Sequence, residues 1–196
     1  MESKISLSEF KSNLELVETY IANSSTKKLT RIEYRSFDEG MCDANLFVIS
    51  KSEVADELEA FVTLCNFQLH FYEEWSLSDT TSENANSILN LWVQPDIESY
   101  LFDTLSSSEV HQEIDWIINS IIKLLSDDSL LLKRVRDPDR WGVFVNGERI
   151  SSETALSDIG LKEIICGIGF ALEWNSVDIM YQTKNDYIFF SWGSGA

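Results

Sequence analysis

The stretch EVHQEIDWIINSIIKLL, Glu109 to Leu125, constrains the fold more than any other part of the chain. At about 100° per residue, Val110, Ile114, Ile117, Ile118, Ile121 and Leu125 fall in one arc of a helix, and such a stripe is stable only against a second apolar layer. Trp116 falls outside the arc, with Gln112, Asn119 and Lys123. Either a further element covers it, or it is an anchor offered to another molecule. The same segment opens with Ser106 followed three residues later by Glu109, the spacing of a capping box.

The second layer is legible as strands. RIEYRSF and ANLFVIS read as two strands joined by DEGMCD. WGVFVNGERI sets Asn146-Gly147 between two strand-like runs, the mark of a type I′ hairpin in which both turn residues take positive φ. SVDIMYQT and DYIFFSW predict a terminal hairpin, and FQLHFYEEW, SILNLWV and SLLLKRV predict further strands. Other helices are expected over Leu7 to Ile21, capped by Ser6 with Glu9, and over Val54 to Cys65, capped by Ser50 with Glu53. Leu161, Ile164, Ile165, Ile168 and Leu172 suggest one more, weakened by Gly167 and Gly169. The expected fold class is α+β, a mainly antiparallel sheet packed against three to four amphipathic helices, with residues 1–196 forming a single acidic domain.

The longest apolar run, IICGIGFAL, is far short of the roughly 20 residues a membrane helix needs. The N-terminal segment mixes charges into its apolar spacing, unlike a signal peptide, so a cytoplasmic protein that does not enter membranes is expected. Cys42, Cys65 and Cys166 are too few and too dispersed for a disulfide scaffold or a zinc site, and read as reduced core residues.

Chemistry is hard to find in the chain. CGIGFA lacks the third glycine and the acidic partner of a dinucleotide fingerprint, and close packing of helix on sheet accounts better for its glycines. His111 and Asp115 are four apart on one helix face, a spacing that can orient an imidazole but more simply forms an exposed pair. His70 stands beside no recognisable nucleophile. Asp137 and Asp139 in RDPDRW are flanked by Arg136 and Arg140, which suits a turn better than a cation site. No catalytic residue, cofactor or metal is expected, and the chain reads as a non-enzyme.

Charge carries the functional signal. With 33 acidic and 15 basic side chains the net charge is -18. Residues 31–130 hold twenty Asp and Glu against four Lys and Arg, and no Lys or Arg lies between Lys51 and Lys123. Direct contact with nucleic acid is not expected, because phosphate binding needs a basic patch. A carboxylate-rich surface attracts a basic protein over long range, and an aromatic residue within it can serve as anchor.

The reading that follows is a cytoplasmic binding protein that neutralises a basic toxin or effector, such as a nuclease toxin, in the manner of a bacterial immunity protein. The residues expected to meet the partner are Glu53, Asp56, Glu57, Asp79, Glu83, Glu109, Glu113, Asp115 and Trp116. A DNA mimic that inhibits a nucleic-acid-binding defence enzyme is the alternative within binding. An unrecognised hydrolase or transferase using His111 or His70 is the alternative outside it. The aromatic segment Tyr187 to Trp192 is expected to be structural, although an exposed strand there could also pair with a partner strand.

Overall fold

The computed structural model describes residues 4–36, 42–75, 102–126, 142–150 and 163–194. Along the chain these form α1 (Leu7–Ser12), α2 (Leu14–Ser24), β1 (Leu29–Ser36), β2 (Cys42–Ser50), α3 (Glu57–Trp75), β3 (Asp103–Ser106) and α4 (Ser107–Ser126). They continue with β4 (Gly142–Val145), β5 (Glu148–Ile150), β6 (Cys166–Glu173), β7 (Ser176–Gln182) and β8 (Asp186–Ser194). The fold is α+β: an open eight-stranded sheet in the order β3-β6-β7-β8-β2-β1-β4-β5, antiparallel throughout, with four helices among the described residues.

Alternation along the central strands sends side chains to two separate cores. Ala44 and Leu46 of β2, Ile179 and Tyr181 of β7, and Ile188, Phe190 and Trp192 of β8 join Val110, Ile114, Ile117 and Ile118 of α4 on one face. Phe47, Ile49, Ile168, Phe170, Met180 and Phe189 join α1, α2 and α3 on the other. From Val110 to Ile118 the arc read from the sequence of α4 is therefore the surface it buries; the side chains of Ile121 and Leu125 lie outside the described residues. On the α3 side Phe170 is the hub of an aromatic cluster, stacked on Phe61 at 5.2 Å and met edge-on by Phe102 at 5.3 Å. Each such ring pair adds about 0.5–1.5 kcal/mol beyond its area burial.

Several expected features are present. β1 pairs with β2 from Leu29 opposite Ile49 to Ser36 opposite Cys42, and β7 pairs with β8 as the terminal hairpin. Asn146 at φ 49° and Gly147 at φ 83° form the turn between β4 and β5. Ser6 Oγ accepts the amide hydrogen of Glu9, as the cap reading requires.

Four expectations are overturned. The N-terminal helix is broken at Asn13, which separates α1 from α2 and whose backbone N–H returns to Phe10 O. The next helix starts at Glu57, not near Ser50: Asp56 Oδ1 accepts from Glu59 N at 2.8 Å, and Glu59 Oε2 accepts from Ala55 N at 2.6 Å. That helix runs through FQLHFYEEW, read above as a strand, because Leu58, Phe61, Cys65 and Leu69 continue one helical stripe into the core.

The fourth correction is Cys166–Glu173, a strand and not a helix. Six successive residues of it are buried, since helices cover both faces of the sheet; an unbroken apolar run is what such a strand requires. DYIFFSW is central, between β7 and β2, so it offers no edge to a partner strand. The segments SILNLWV, SLLLKRV and RDPDRW lie outside the described residues.

Candidate partner-binding surface

Helix α4 is positioned by its cap and by a missing side chain beneath it. Ser106 N–H and Oγ both donate to Glu109 Oε2, at 2.7 and 2.6 Å, while Ser106 Oγ accepts from Glu109 N at 3.4 Å. The two bonds from Ser106 hold the Glu109 carboxyl below the usual carboxylate range. One turn on, Val110 sits over Gly167 of β6. A Cβ at Gly167 would lie 2.8 Å from Val110 Cγ2 and 3.0 Å from Met180 O, so glycine is what lets the helix approach. Close packing of helix on sheet thus accounts for Gly167, with the glycine on the strand, whereas a Cβ at Gly169 would meet Leu172 and Leu105 of the sheet itself.

From that contact α4 carries Trp116 to the far part of the same face. Its ring meets Trp192 of β8 edge-on, with centroids 5.2 Å apart and planes at 79°. Trp192 is 7% exposed and Trp116 is 48% exposed. Trp116 thus packs on Trp192 while staying about half exposed.

Trp192 belongs to a row across the sheet in which Leu172 opposes Val177, Val177 opposes Trp192, Trp192 opposes Ala44 and Ala44 opposes Tyr34. A bulge between Gly169 and Ala171 turns Leu172 onto the α4 face, where it lies across Gly169. Leu172 remains 36% exposed, and Trp174, in the tight turn that follows, is 75% exposed. With strands about 4.8 Å apart, Leu172 and Trp192 are roughly 10 Å apart along the row. Trp116 and Leu172 thus stand at one corner of the sheet, with Trp174 in the turn two residues beyond Leu172, whereas the other exposed large apolar residues described, Leu16 and Ile165, lie on other segments.

Charge is distributed unevenly around this corner. From Phe102 to Asn119 and from Glu163 to Thr183, covering β3, β6, β7 and most of α4, there are seven Asp and Glu, of which Asp178 stands on the α3 side, and no Lys or Arg. Among the described residues Asp103, Glu113, Glu163 and Glu173 form no ion pair, and Asp115 Oδ1 meets His111 Nδ1 at 3.2 Å. Glu113 is three residues before Trp116, hence its neighbour on the helix surface. The His111–Asp115 pair is a partly exposed helix-surface contact of a few tenths of a kcal/mol.

The start of α3 differs. Lys27 Nζ bridges Glu59 at 2.7 Å and the Glu53 carbonyl at 2.9 Å. Asp56 caps the helix and accepts from Tyr20 OH at 3.2 Å, and Glu57 Oε2 accepts from the Lys4 backbone N–H at 3.1 Å. Glu53, Asp56 and Glu57 are thus tied to the N-terminal segment. They stand on the opposite face of the sheet from Glu109, Glu113, Asp115 and Trp116. Asp79 and Glu83 lie outside the described residues, as does the His70 side chain.

A second polar constellation lies beneath α3, where buried Glu33, Asn45 and Ser191 and half-buried Asp178 oppose one another across four strands. Gln68 Nε2 donates to Ser191 Oγ at 3.0 Å, and Arg31 bridges Glu33 Oε2 at 2.8 Å and Asn45 Oδ1 at 3.2 Å. Nearby Cys65 is fully buried, and desolvation, with a smaller contribution from the Asp178 charge, pushes its thiol well up. It stays protonated and is a poor nucleophile. Among the described residues no three His, Cys, Asp or Glu are grouped to hold a metal ion, and no helix is long and apolar enough to cross a membrane.

Sequence reasoning placed Trp116 but missed Leu172 and Trp174. The signal was present: tryptophan beside asparagine between two strand-length runs, EWNS, marks a turn, and a tryptophan in a tight turn has little to bury against. It was obscured by reading the preceding residues as a helix. No family model matches the chain, and neither curated proteins nor solved structures gave a match.

Proposed function

We propose that this chain is a non-catalytic cytoplasmic inhibitor that binds and neutralises a basic protein, a toxin or effector such as a nuclease, in the manner of an immunity protein. The observation that carries the reading is the juxtaposition on one face of exposed Trp116 with the carboxylates of Asp103, Glu113 and Asp115, none of which pairs with Lys or Arg among the described residues. Carboxylates around the corner supply long-range attraction and a polar rim, and Trp116, braced by Trp192, supplies apolar contact at the centre. A ring already held on one side loses little freedom on docking, which favours slow dissociation.

Of the acidic residues read from the sequence, Glu113 and Asp115 are the best placed for recognition. Glu109 serves chiefly to cap α4, and Asp56 and Glu57 serve chiefly to fasten the start of α3 to the N-terminal segment, whereas Glu53 is held there only by its backbone carbonyl.

The test begins with affinity isolation of the partner from native cells and proceeds to association kinetics with that purified protein. Wild-type association should slow steeply between low and high salt, while Glu113→Lys with Asp115→Lys should slow it at low salt and flatten the dependence. Trp116→Ala should mainly speed dissociation. An acidic partner, or a salt-independent rate, contradicts the proposal.

A further inference from the structure

Taking the binding role above as its premise, we infer that the corner formed by Trp116, Leu172 and Trp174 receives a cationic amphipathic segment of the partner, one carrying apolar side chains flanked by Lys or Arg. The β6–β7 hairpin is then half of the interface, a part that the acidic helix alone would not supply.

Three observations converge on this occupant. Trp174 is the most exposed large apolar side chain described, and it follows Leu172 by two residues, so the hairpin tip presents both within about 7 Å of strand. Leu172 and Trp192 share one cross-strand row, and Trp116 packs on Trp192, so the helix anchor and the hairpin anchors flank a single stretch of surface. Carboxylates lie beside it: Glu113 next to Trp116 on α4, and Asp103 opposite Gly169 on β3, against which Leu172 packs.

A purely ionic partner would leave these rings in water, and a purely apolar one would leave the rim without counter-charge. A partner segment that is apolar in the middle and cationic at its edges satisfies both. Charge also disfavours two other occupants. An anionic lipid surface and a second copy of this chain, which carries a net charge of -18, would both be repelled.

The experiment uses three synthetic peptides of about 14 residues, roughly four helical turns. The first places Leu on one helix face and Lys on the other; the second replaces its Leu by Ser; the third replaces its Lys by Glu. Binding to the full chain, with its tryptophans labelled with nitrogen-15, is followed through the indole N–H signals, assigned with Trp116→Phe and Trp174→Phe. The Leu/Lys peptide should shift both Trp116 and Trp174, and the combined Leu172→Ala and Trp174→Ala variant should bind it roughly tenfold more weakly or worse. Trp174 is mostly in solvent, so that variant should keep the wild-type melting temperature within a few degrees, which separates lost contact from lost fold.

Equal binding of the Ser peptide, or binding of the Leu/Lys peptide without a Trp174 shift, overturns the inference and leaves an ionic binding role standing. Equal binding of the Glu peptide overturns the binding role itself. Failure of the Leu/Lys peptide to bind at all overturns the inference, and the salt-dependent kinetics with the isolated partner then decide the broader role independently.

Discussion

At the scale of single residues, Trp116 and Tyr181 use the same face of the sheet in different ways. Trp116 packs on Trp192 and stays about half exposed. Tyr181 is buried whole and its hydroxyl has no hydrogen-bond partner, which costs desolvation without return. Tyr181→Phe should leave the fold intact and change stability by about zero to plus 1 kcal/mol, measured by urea unfolding. Burial also raises the phenol of Tyr181 above its ordinary value. Because the folded state resists ionisation and the unfolded state does not, the wild type should lose stability as pH rises above about 10, and Tyr181→Phe should lose less of it. A large destabilisation by Tyr181→Phe would show that the hydroxyl is paired.

At the scale of elements, what was legible and what was not divides by the kind of signal. The type I′ turn at Asn146-Gly147, the Ser106–Glu109 capping box and the apolar arc of α4 were readable because each is a local pattern with one geometric meaning. Phe67 to Trp75 was misread because alternating apolar residues also satisfy a buried helix face, and only continuity with Leu58, Phe61 and Cys65 decides between the two. Cys166 to Glu173 was misread for the opposite reason: burial on both faces erases alternation, and that burial depends on helices distant in sequence. Of the candidate surface, Trp116 and its acidic neighbours were foreseeable, but Leu172 and Trp174 required the strand assignment and the bulge at Gly169/Ala171.

Two substitutions test the element-level account. Gly167→Ala forces β6 and α4 apart at Val110 and should destabilise by about 1–3 kcal/mol in thermal or urea unfolding, as overpacking does. Ser106→Ala removes the hydroxyl that holds Glu109 and should cost about 0.5–2 kcal/mol near neutral pH. The Glu109 carboxyl is held below its ordinary value, so its contribution is present above the unfolded pKa and fades as pH falls through the folded one. The difference between wild type and Ser106→Ala should therefore shrink on acidification. A difference that grows with acid would refute the capping account.

At the scale of the whole molecule, the described charges differ between the two faces of the sheet. Lys27, Arg31 and Lys51 are engaged on the α3 side, with Glu59, with Glu33 and with Gln182 and the Tyr187 ring respectively. β3, β6, β7 and the first three turns of α4 carry carboxylates alone. The two faces of one sheet thus differ: on the α3 side Asp56 and Glu57 at the helix start are joined to the N-terminal segment, while on the α4 side Glu113 and Asp115 are helix neighbours of exposed Trp116. Amide hydrogen exchange on the chain alone and in complex with its purified basic partner tests this division most directly. New protection should fall on α4 around Glu113 to Asn119 and on the β6–β7 turn around Leu172 to Ser176, with little change around Glu53 to Glu57. Protection centred on the start of α3, with α4 and the hairpin unchanged, would contradict the account.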